Sequence, residues 1–295
     1  MTIKEAYNIQ SDFWRKNGDY TDDELFLFTE ASHLLIEETG EPEFMFDLGA
    51  VYYERKEYDL ALKYYEMAAE YNYHPANLGL GYIWYYGRTG TVDHKKAFEY
   101  FSKERGDDNA DYKLADMYKN GYYVEKDQVK YKALIESLYS RVRYTDNVQD
   151  KLPEVCLRLA EIRLGEGDTE EAVRLLKEGK SMLASRIGFD PFFGNYNIMR
   201  SFVEQLYSLV EVNVNDCDIF DSYYLLQKPC LIVFEYDGLP YTVRSDHEDD
   251  GSISIKFDEK WYRTPDDFLR KAEIDGTRLT LAAWKVKIKE VYYIV

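Results

Sequence analysis

The residues most capable of chemistry in this chain are one acidic stretch, four histidines and three cysteines. Residues 246–251 have the oxygen-rich composition of a calcium loop. An EF-hand, however, closes with a bidentate acid at its twelfth position, which here is Phe257, so we expect a solvated hairpin loop. The histidines show no zinc-binding or metalloprotease spacing; they are His33, His74, His94 and His247. The sequence therefore predicts no metal site.

The cysteines and the catalytic motifs give no sign of a reaction. Cys156, Cys217 and Cys230 have no paired spacing, which predicts a reduced compartment. The chain contains no nucleophile elbow, no P-loop and no Gly-rich dinucleotide motif. The sequence therefore predicts a non-catalytic protein without a cofactor. Its many carboxylates leave a hydrolase in the C-terminal segment as an open alternative.

The charge of the chain restricts its partners. With 55 acidic and 37 basic residues, the net charge is −18. A nucleic acid is not an expected partner, because phosphates bind cationic surfaces. No apolar run approaches the roughly 18 residues of a membrane span, and the first residues lack the apolar core of a signal peptide. We expect a cytoplasmic protein whose acidic charge either aids solubility or steers a basic partner.

Tyrosine is the unusual feature of the composition, with 29 residues. Several occur as adjacent pairs: Tyr52-Tyr53, Tyr64-Tyr65, Tyr85-Tyr86 and Tyr122-Tyr123. Neighbours on a helix point about 100° apart, so one tyrosine of a pair can enter the core while the other faces outward. Two interpretations remain open. The tyrosines fill a large, thin core, or the second of each pair forms an aromatic binding face.

The elements that must position these side chains are helical hairpins. A leucine followed by a small residue occurs four times, as Leu48-Gly49, Leu80-Gly81, Leu114-Ala115 and Leu159-Ala160. Leu80 and Leu114 are 34 residues apart, and the same interval separates Trp84 from Tyr118, Gly87 from Gly121, Asp93 from Asp127 and Phe101 from Ile135. A period of this length predicts stacked helix pairs.

Packing and turn chemistry agree with that period. Each first helix offers a small residue where the second helix crosses it, and the second helix offers Ala61, Ala97 or Ala172 in return. Gly87 and Gly121 are suited to end a helix in a left-handed conformation. Asp93, Asp127 and Asp168 are suited to begin the next helix as N-caps. A large side chain at Gly81 is expected to force the helices apart.

The two central repeats resemble a known family. The pattern Ala76, Leu80-Gly81, Trp84, Gly87 and its counterpart Ala110, Leu114-Ala115, Tyr118, Gly121 are similar to Sel-one-like repeats. The flanking units, residues 48–68 and 159–180, look more like tetratricopeptide repeats. The resemblance covers about residues 41–186 and implies an α-helical solenoid that binds a protein or peptide on its inner face.

Similarity to tetratricopeptide repeats implies that the inner-face positions lie on the first helix of each hairpin. Counted from each leucine, they are Phe46, Tyr53, Glu54, Leu78, Tyr82, Tyr85, Tyr86, Tyr112, Asp116, Lys119, Asn120 and Glu161. The set is aromatic with acidic edges. It suits a basic or Arg-containing segment, through cation–π contacts of roughly 0.5–2 kcal/mol each. The competing interpretation is that half of them pack against the neighbouring repeat.

Two domains are expected. Residues 1–212 are predicted to be helical, opening with a capping hairpin (residues 3–16 and 22–38) and closing with a helix over residues 197–212. The phenylalanines of the loop at residues 188–195 are expected to seal the solenoid end. Residues 213–295 alternate in hydrophobicity and resemble no known family. They predict a small α+β domain of four strands and one helix, with a hairpin turn at Asp237-Gly238 and a helix start at Thr264-Pro265.

The function that these features favour is a non-catalytic scaffold that holds a protein or peptide on the solenoid. A second hypothesis is an immunity protein or antitoxin that masks a basic toxin or nuclease, with the C-terminal domain as its specificity element. The hydrolase is the third. Both leading hypotheses require neither a cofactor, nor a nucleic acid, nor a membrane.

Overall fold

Helices make up the first two thirds of the chain. The computed structural model describes residues 1–16, 20–144, 152–189, 195–248 and 250–294, which form two compact units, Met1–Leu134 and Ile135–Val295. The helices of this part are α1 (Ile3–Arg15), α2 (Asp22–Thr39), α3 (Pro42–Glu54), α4 (Tyr58–Glu70), α5 (Pro75–Tyr86), α6 (His94–Lys103), α7 (Asp108–Asn120), α8 (Gln128–Val142), α9 (Pro153–Gly165), α10 (Thr169–Phe189) and α11 (Tyr196–Leu209).

Helix ends lie where local chemistry places them. Thr21 and Glu24 form a capping box at the start of α2. Gly87 and Gly121 end α5 and α7 with φ values of 61° and 76°, which glycine adopts without strain. The Asp93 carboxylate accepts a hydrogen bond of 3.0 Å from the backbone N–H of Lys96. The predicted turn chemistry of the repeats is confirmed.

Glycines permit the close helix crossings of the first unit. A Cβ atom on Gly81 of α5 would lie 2.6 Å from Cδ1 of Phe101 on α6. Tyr65 of α4 lies between two glycines: a Cβ would be 2.7 Å from one edge of its ring at Gly49 of α3, and 2.5 Å from the other edge at Gly79 of α5. Aromatic rings therefore fill the space that an alanine side chain would need.

The adjacent tyrosines do not follow one rule. Tyr64 and Tyr65 are both buried, because α4 packs between α3 and α5 and offers core positions on two sides. The expectation that the second tyrosine of each pair faces outward is therefore wrong for this pair. It agrees with the structure on α5, where Tyr85 is half-buried and Tyr86 is 44% exposed.

The second unit contains its own tight crossing and a buried ion pair. A Cβ on Gly179 of α10 would lie 2.5 Å from the Phe202 ring on α11 and 2.7 Å from Cys156 on α9. One residue further along α10, the buried Lys180 donates hydrogen bonds to Asp221 at 2.6 Å and Asp218 at 3.1 Å. Burial alone would lower the pKa of Lys180, but the two carboxylates outweigh it and raise that pKa.

After Leu209 the chain changes from helix to strand. The elements are the short helix α12 (Ser222–Leu225), α13 (Pro265–Lys271), and the strands β1 (Cys230–Tyr236), β2 (Leu239–His247), β3 (Ile253–Phe257), β4 (Lys260–Tyr262), β5 (Glu273–Ile274), β6 (Thr277–Arg278) and β7 (Val286–Tyr293). Five strands form an antiparallel sheet in the order β4-β3-β2-β1-β7, and β5 pairs with β6. The predicted hairpin turns at Asp237 and Gly238, which have φ values of 49° and 80°. Phe257 of β3 packs against Phe234 of β1 and Phe268 of α13.

The predicted fold class, a solenoid of helical hairpins followed by a small α+β region, is confirmed. The sheet has five strands rather than four, because the short strand β4 adds an edge that the sequence pattern does not show. The predicted domain boundary near residue 212 coincides with the change of secondary structure and stays a prediction as a domain boundary. Most of the sealing loop, residues 190–194, and Asp249 of the acidic stretch lie outside the described residues.

Candidate partner-binding surface

Five of the twelve predicted inner-face residues meet on one surface of the first unit. They are Tyr53 of α3, Tyr82, Tyr85 and Tyr86 of α5, and Tyr112 of α7. They are joined there by three residues that the sequence analysis did not select: Tyr58 of α4, Arg88 in the loop after α5, and Lys113 of α7. We call these eight residues the tyrosine surface.

Arg88 connects the α3–α4 hairpin to α5. Its guanidinium carbon lies 5.8 Å from the ring centre of Tyr53, 5.3 Å from that of Tyr58 and 4.8 Å from that of Tyr86. Its Nε–H donates a hydrogen bond of 3.3 Å to the Tyr53 hydroxyl. The position follows from the left-handed Gly87, which reverses the chain directly after α5. Arg88 is therefore held by aromatic rings rather than by a carboxylate.

Lys113 connects α5 to α7. Its ammonium nitrogen donates a hydrogen bond of 2.7 Å to the Tyr86 hydroxyl. The same nitrogen lies 5.0–5.9 Å from four ring centres, those of Tyr82, Tyr85, Tyr86 and Tyr112. Such contacts are attractive because the face of an aromatic ring is negative. Both cations lie within 5 Å of the Tyr86 ring centre, which makes Tyr86 the centre of the surface.

The three tyrosines of α5 differ in burial, so they differ in what they contribute. Tyr82 and Tyr85 are half-buried, and their rings lie 5.6 and 6.1 Å from that of the buried Phe101. Burial also raises the pKa of Tyr82. Tyr86 is the exposed member and packs edge-on against Tyr85 at 5.0 Å. Tyr82 and Tyr85 therefore serve both the core and the surface, whereas Tyr86 belongs to the surface.

Six predicted residues of the first unit lie apart from the tyrosine surface. Phe46 packs against Tyr65 and Tyr73, and Leu78 packs against the core around Phe101. Glu54 is exposed at the end of α3, where partial burial raises the pKa of its carboxyl. The other three are on α7: Asp116 is buried, Lys119 lies 5.4 Å from the Tyr131 ring, and the Asn120 side chain bonds the Asp116 carbonyl.

The twelfth predicted residue, Glu161, belongs to α9 in the second unit. It pairs with Arg158 at 3.6 Å, on the same helix. The core contacts of Phe46 and Leu78 agree with the competing interpretation, in which part of the set packs against neighbouring repeats. The repeat spacing was correct for the helices but did not distinguish core positions from surface positions on each of them.

The three additional residues had weak signals in the sequence. Lys113 follows Tyr112 directly, and it has Gly79 as its equivalent one period earlier, so the repeat comparison did not mark it. Arg88 follows a helix-ending glycine, a position that turns back toward the helix it leaves. Tyr58 begins α4 beside the end of α3, where its ring meets that of Tyr53 at 5.3 Å. Residues next to a turn deserved inclusion because turns bring them back to the hairpin face.

The chemistry-bearing residues of the chain have structural contacts. His33 bonds the Tyr64 hydroxyl at 2.9 Å, and His94 stacks on Tyr122 at 4.4 Å. Burial raises the pKa of the Cys156 thiol to about 12 and that of Cys217 to about 11. Such thiols are protonated at neutral pH and are poor nucleophiles. Among the described residues, no group of His, Cys, Asp and Glu side chains is arranged to hold a metal ion.

Comparison with known proteins returns matches among solved structures alone. No family model matches the chain, and no curated protein matches it. The crystal structure of a Sel1 repeat protein from Oxalobacter formigenes is similar, with a TM-score of 0.47 and 18% identity over 76% of this chain and 89% of that one. So is that of c5321, a protective antigen present in uropathogenic Escherichia coli strains displaying an SLR fold, with a TM-score of 0.46 and 18% identity over 77% of this chain and 52% of that one. This chain thus spans about half the length of the second protein.

No helix in the described parts of the chain has the length and apolar character to cross a bilayer.

Proposed function

We propose that the chain is a helical-repeat scaffold that binds a partner protein or peptide on the tyrosine surface. The observation that supports this proposal is the convergence of six tyrosines from four helices around two cations. Tyrosine and arginine are the residues that most often carry binding energy at protein interfaces, because they bury a large area with little loss of conformational freedom. We further propose, from the sequence, that the scaffold is cytoplasmic and non-catalytic.

The basic partner expected from the sequence does not suit this surface. The aromatic faces that were to receive a partner's arginine already lie beside the chain's own Arg88 and Lys113. A basic segment would have to displace these side chains and would meet their charge. The proposal therefore concerns a protein partner without a basic segment at this surface. No contact in the described residues favours the antitoxin hypothesis over a general scaffold.

The test of this proposal separates binding from stability. Tyr86→Ala removes an exposed ring and should weaken the partner by about tenfold or more, with an unchanged melting temperature. Tyr71→Ala is the matched control, because Tyr71 is 59% exposed in the same unit and lies outside the surface. Short random peptides displayed on phage supply the ligands, and fluorescence anisotropy measures the affinity of labelled copies. Equal affinity of wild type and Tyr86→Ala for every selected peptide would contradict the proposal.

A further inference from the structure

Arg88 and Lys113 carry charges that the chain itself does not neutralise. In the described parts of the chain, neither residue forms an ion pair with a carboxylate; both bond tyrosine hydroxyls instead. This is notable in a chain with 18 more acidic than basic residues. Nine arginines do pair with carboxylates: Arg15, Arg55, Arg105, Arg158, Arg163, Arg174, Arg200, Arg244 and Arg270.

The two cations also keep unused hydrogen-bond donors. A guanidinium has five N–H donors, and Arg88 uses its Nε–H for the Tyr53 hydroxyl. An ammonium has three, and Lys113 uses one for the Tyr86 hydroxyl. Because each cation lies within 5 Å of the Tyr86 ring centre, the two charges are less than 10 Å apart. The remaining donors of Arg88 match the two oxygens of a carboxylate.

The aromatic contacts prepare these cations for an anion. The rings hold both side chains in place, so little side-chain entropy is lost when a ligand binds. They also remove part of the water from the charges, which strengthens their attraction for a carboxylate. One chain carboxylate, that of Asp107, raises the pKa of Tyr82 together with burial and is therefore close by. It is occupied at the start of α7, where it accepts hydrogen bonds from the backbone N–H groups of Asn109 and Ala110.

From these contacts we propose that the tyrosine surface selects an acidic segment of its partner. A carboxylate of that segment bonds Arg88, a second anionic group lies near Lys113, and apolar side chains between them contact Tyr86. This inference rests on the proposed function and assigns the chemistry of the partner. Charge complementarity is its basis: two exposed or half-exposed cations without a carboxylate partner, set among rings, on an otherwise acidic chain.

The experiment selects displayed random peptides on the full chain and then measures labelled copies of the enriched peptides. Arg88→Gln should weaken them about tenfold or more, and Lys113→Gln should weaken them to a lesser degree. Lys103→Gln is the matched control, since it removes one charge from a lysine that lies 4.7 Å from the Tyr100 ring, outside the surface. All variants are first shown to melt at the temperature of the wild type.

Three outcomes are distinguishable. Enriched peptides that are acidic, and that lose affinity with Arg88→Gln but keep it with Lys103→Gln, support the inference. Neutral or basic peptides that depend on Tyr86 but not on Arg88 overturn it and leave the proposed function standing. Peptides that depend on neither Tyr86 nor Arg88 overturn both.

Discussion

Replacement of Gly81 by alanine should destabilise the first unit. The added Cβ would lie 2.6 Å from Cδ1 and 2.9 Å from Cζ of the Phe101 ring, whereas ordinary contacts begin at 3.4 Å. The ring must therefore move by roughly 1 Å within a filled core, which costs about 1–3 kcal/mol of unfolding free energy. For a unit of this size, the melting temperature should fall by about 4–8 °C per kcal/mol.

Circular dichroism during urea and thermal unfolding measures this change. Gly165→Ala is the matched control: Gly165 ends α9, a Cβ there meets nothing within 4 Å, and alanine should stabilise by about 0.4–1 kcal/mol. Adding Phe101→Leu to Gly81→Ala should cost less than the sum of the two single changes, because the smaller side chain relieves the clash. An unfolding midpoint for Gly81→Ala equal to or above that of the wild type would refute the reasoning.

Three further predictions concern titratable groups. Burial raises the pKa of Asp47 from 3.8 to about 6, so this carboxyl lowers stability as the pH rises from about 4 to about 6; Asp47→Asn, which keeps an acceptor for the Trp14 indole N–H, should raise the unfolding free energy by about 1–2 kcal/mol at pH 7 and by little at pH 4, as urea titrations at both values would show. Lys180→Met should cost about 3–5 kcal/mol because it leaves Asp221 buried without its cation, and Asp221→Asn added to it should recover part of that loss in the same assay. The three buried thiols should react with a disulfide reagent at the rate of unfolding, and a fast reaction in the native protein would contradict their raised pKa values.

The sequence was sufficient for the elements of the fold. The period of 34 residues reports a packing requirement that recurs at each hairpin, and Gly81 against Phe101 is the contact that produces it. Caps such as Thr21 and Asp93 are also local, since their partners are three residues away. Local and periodic signals of this kind are readable without a structure because they depend on nearby residues.

The candidate surface was only half predictable from the sequence. Tyr86 and Asp116 are related through the repeat spacing, and yet one is exposed and the other is buried. Their burial depends on which neighbouring hairpin covers them, and no repeat pattern contains that information. The same holds for the charge of the surface: Arg88 is 35 residues from Tyr53, so its effect on the partner emerges only from the folded chain.

The ring of Tyr65 makes neighbouring hairpins dependent on one another. Its two edges lie against Gly49 and Gly79, so one side chain fills the space both within a hairpin and between that hairpin and the next. In a linear array of repeats, the strength of such nearest-neighbour coupling decides whether units melt singly or together. A chain cut after α4 would present one edge of this ring to water, and the remaining hairpin would lose the partner on which half of that core depends. The first unit is therefore cooperative in its middle, and the hairpins α3–α4 and α5–α6 should exchange their backbone hydrogens as one block.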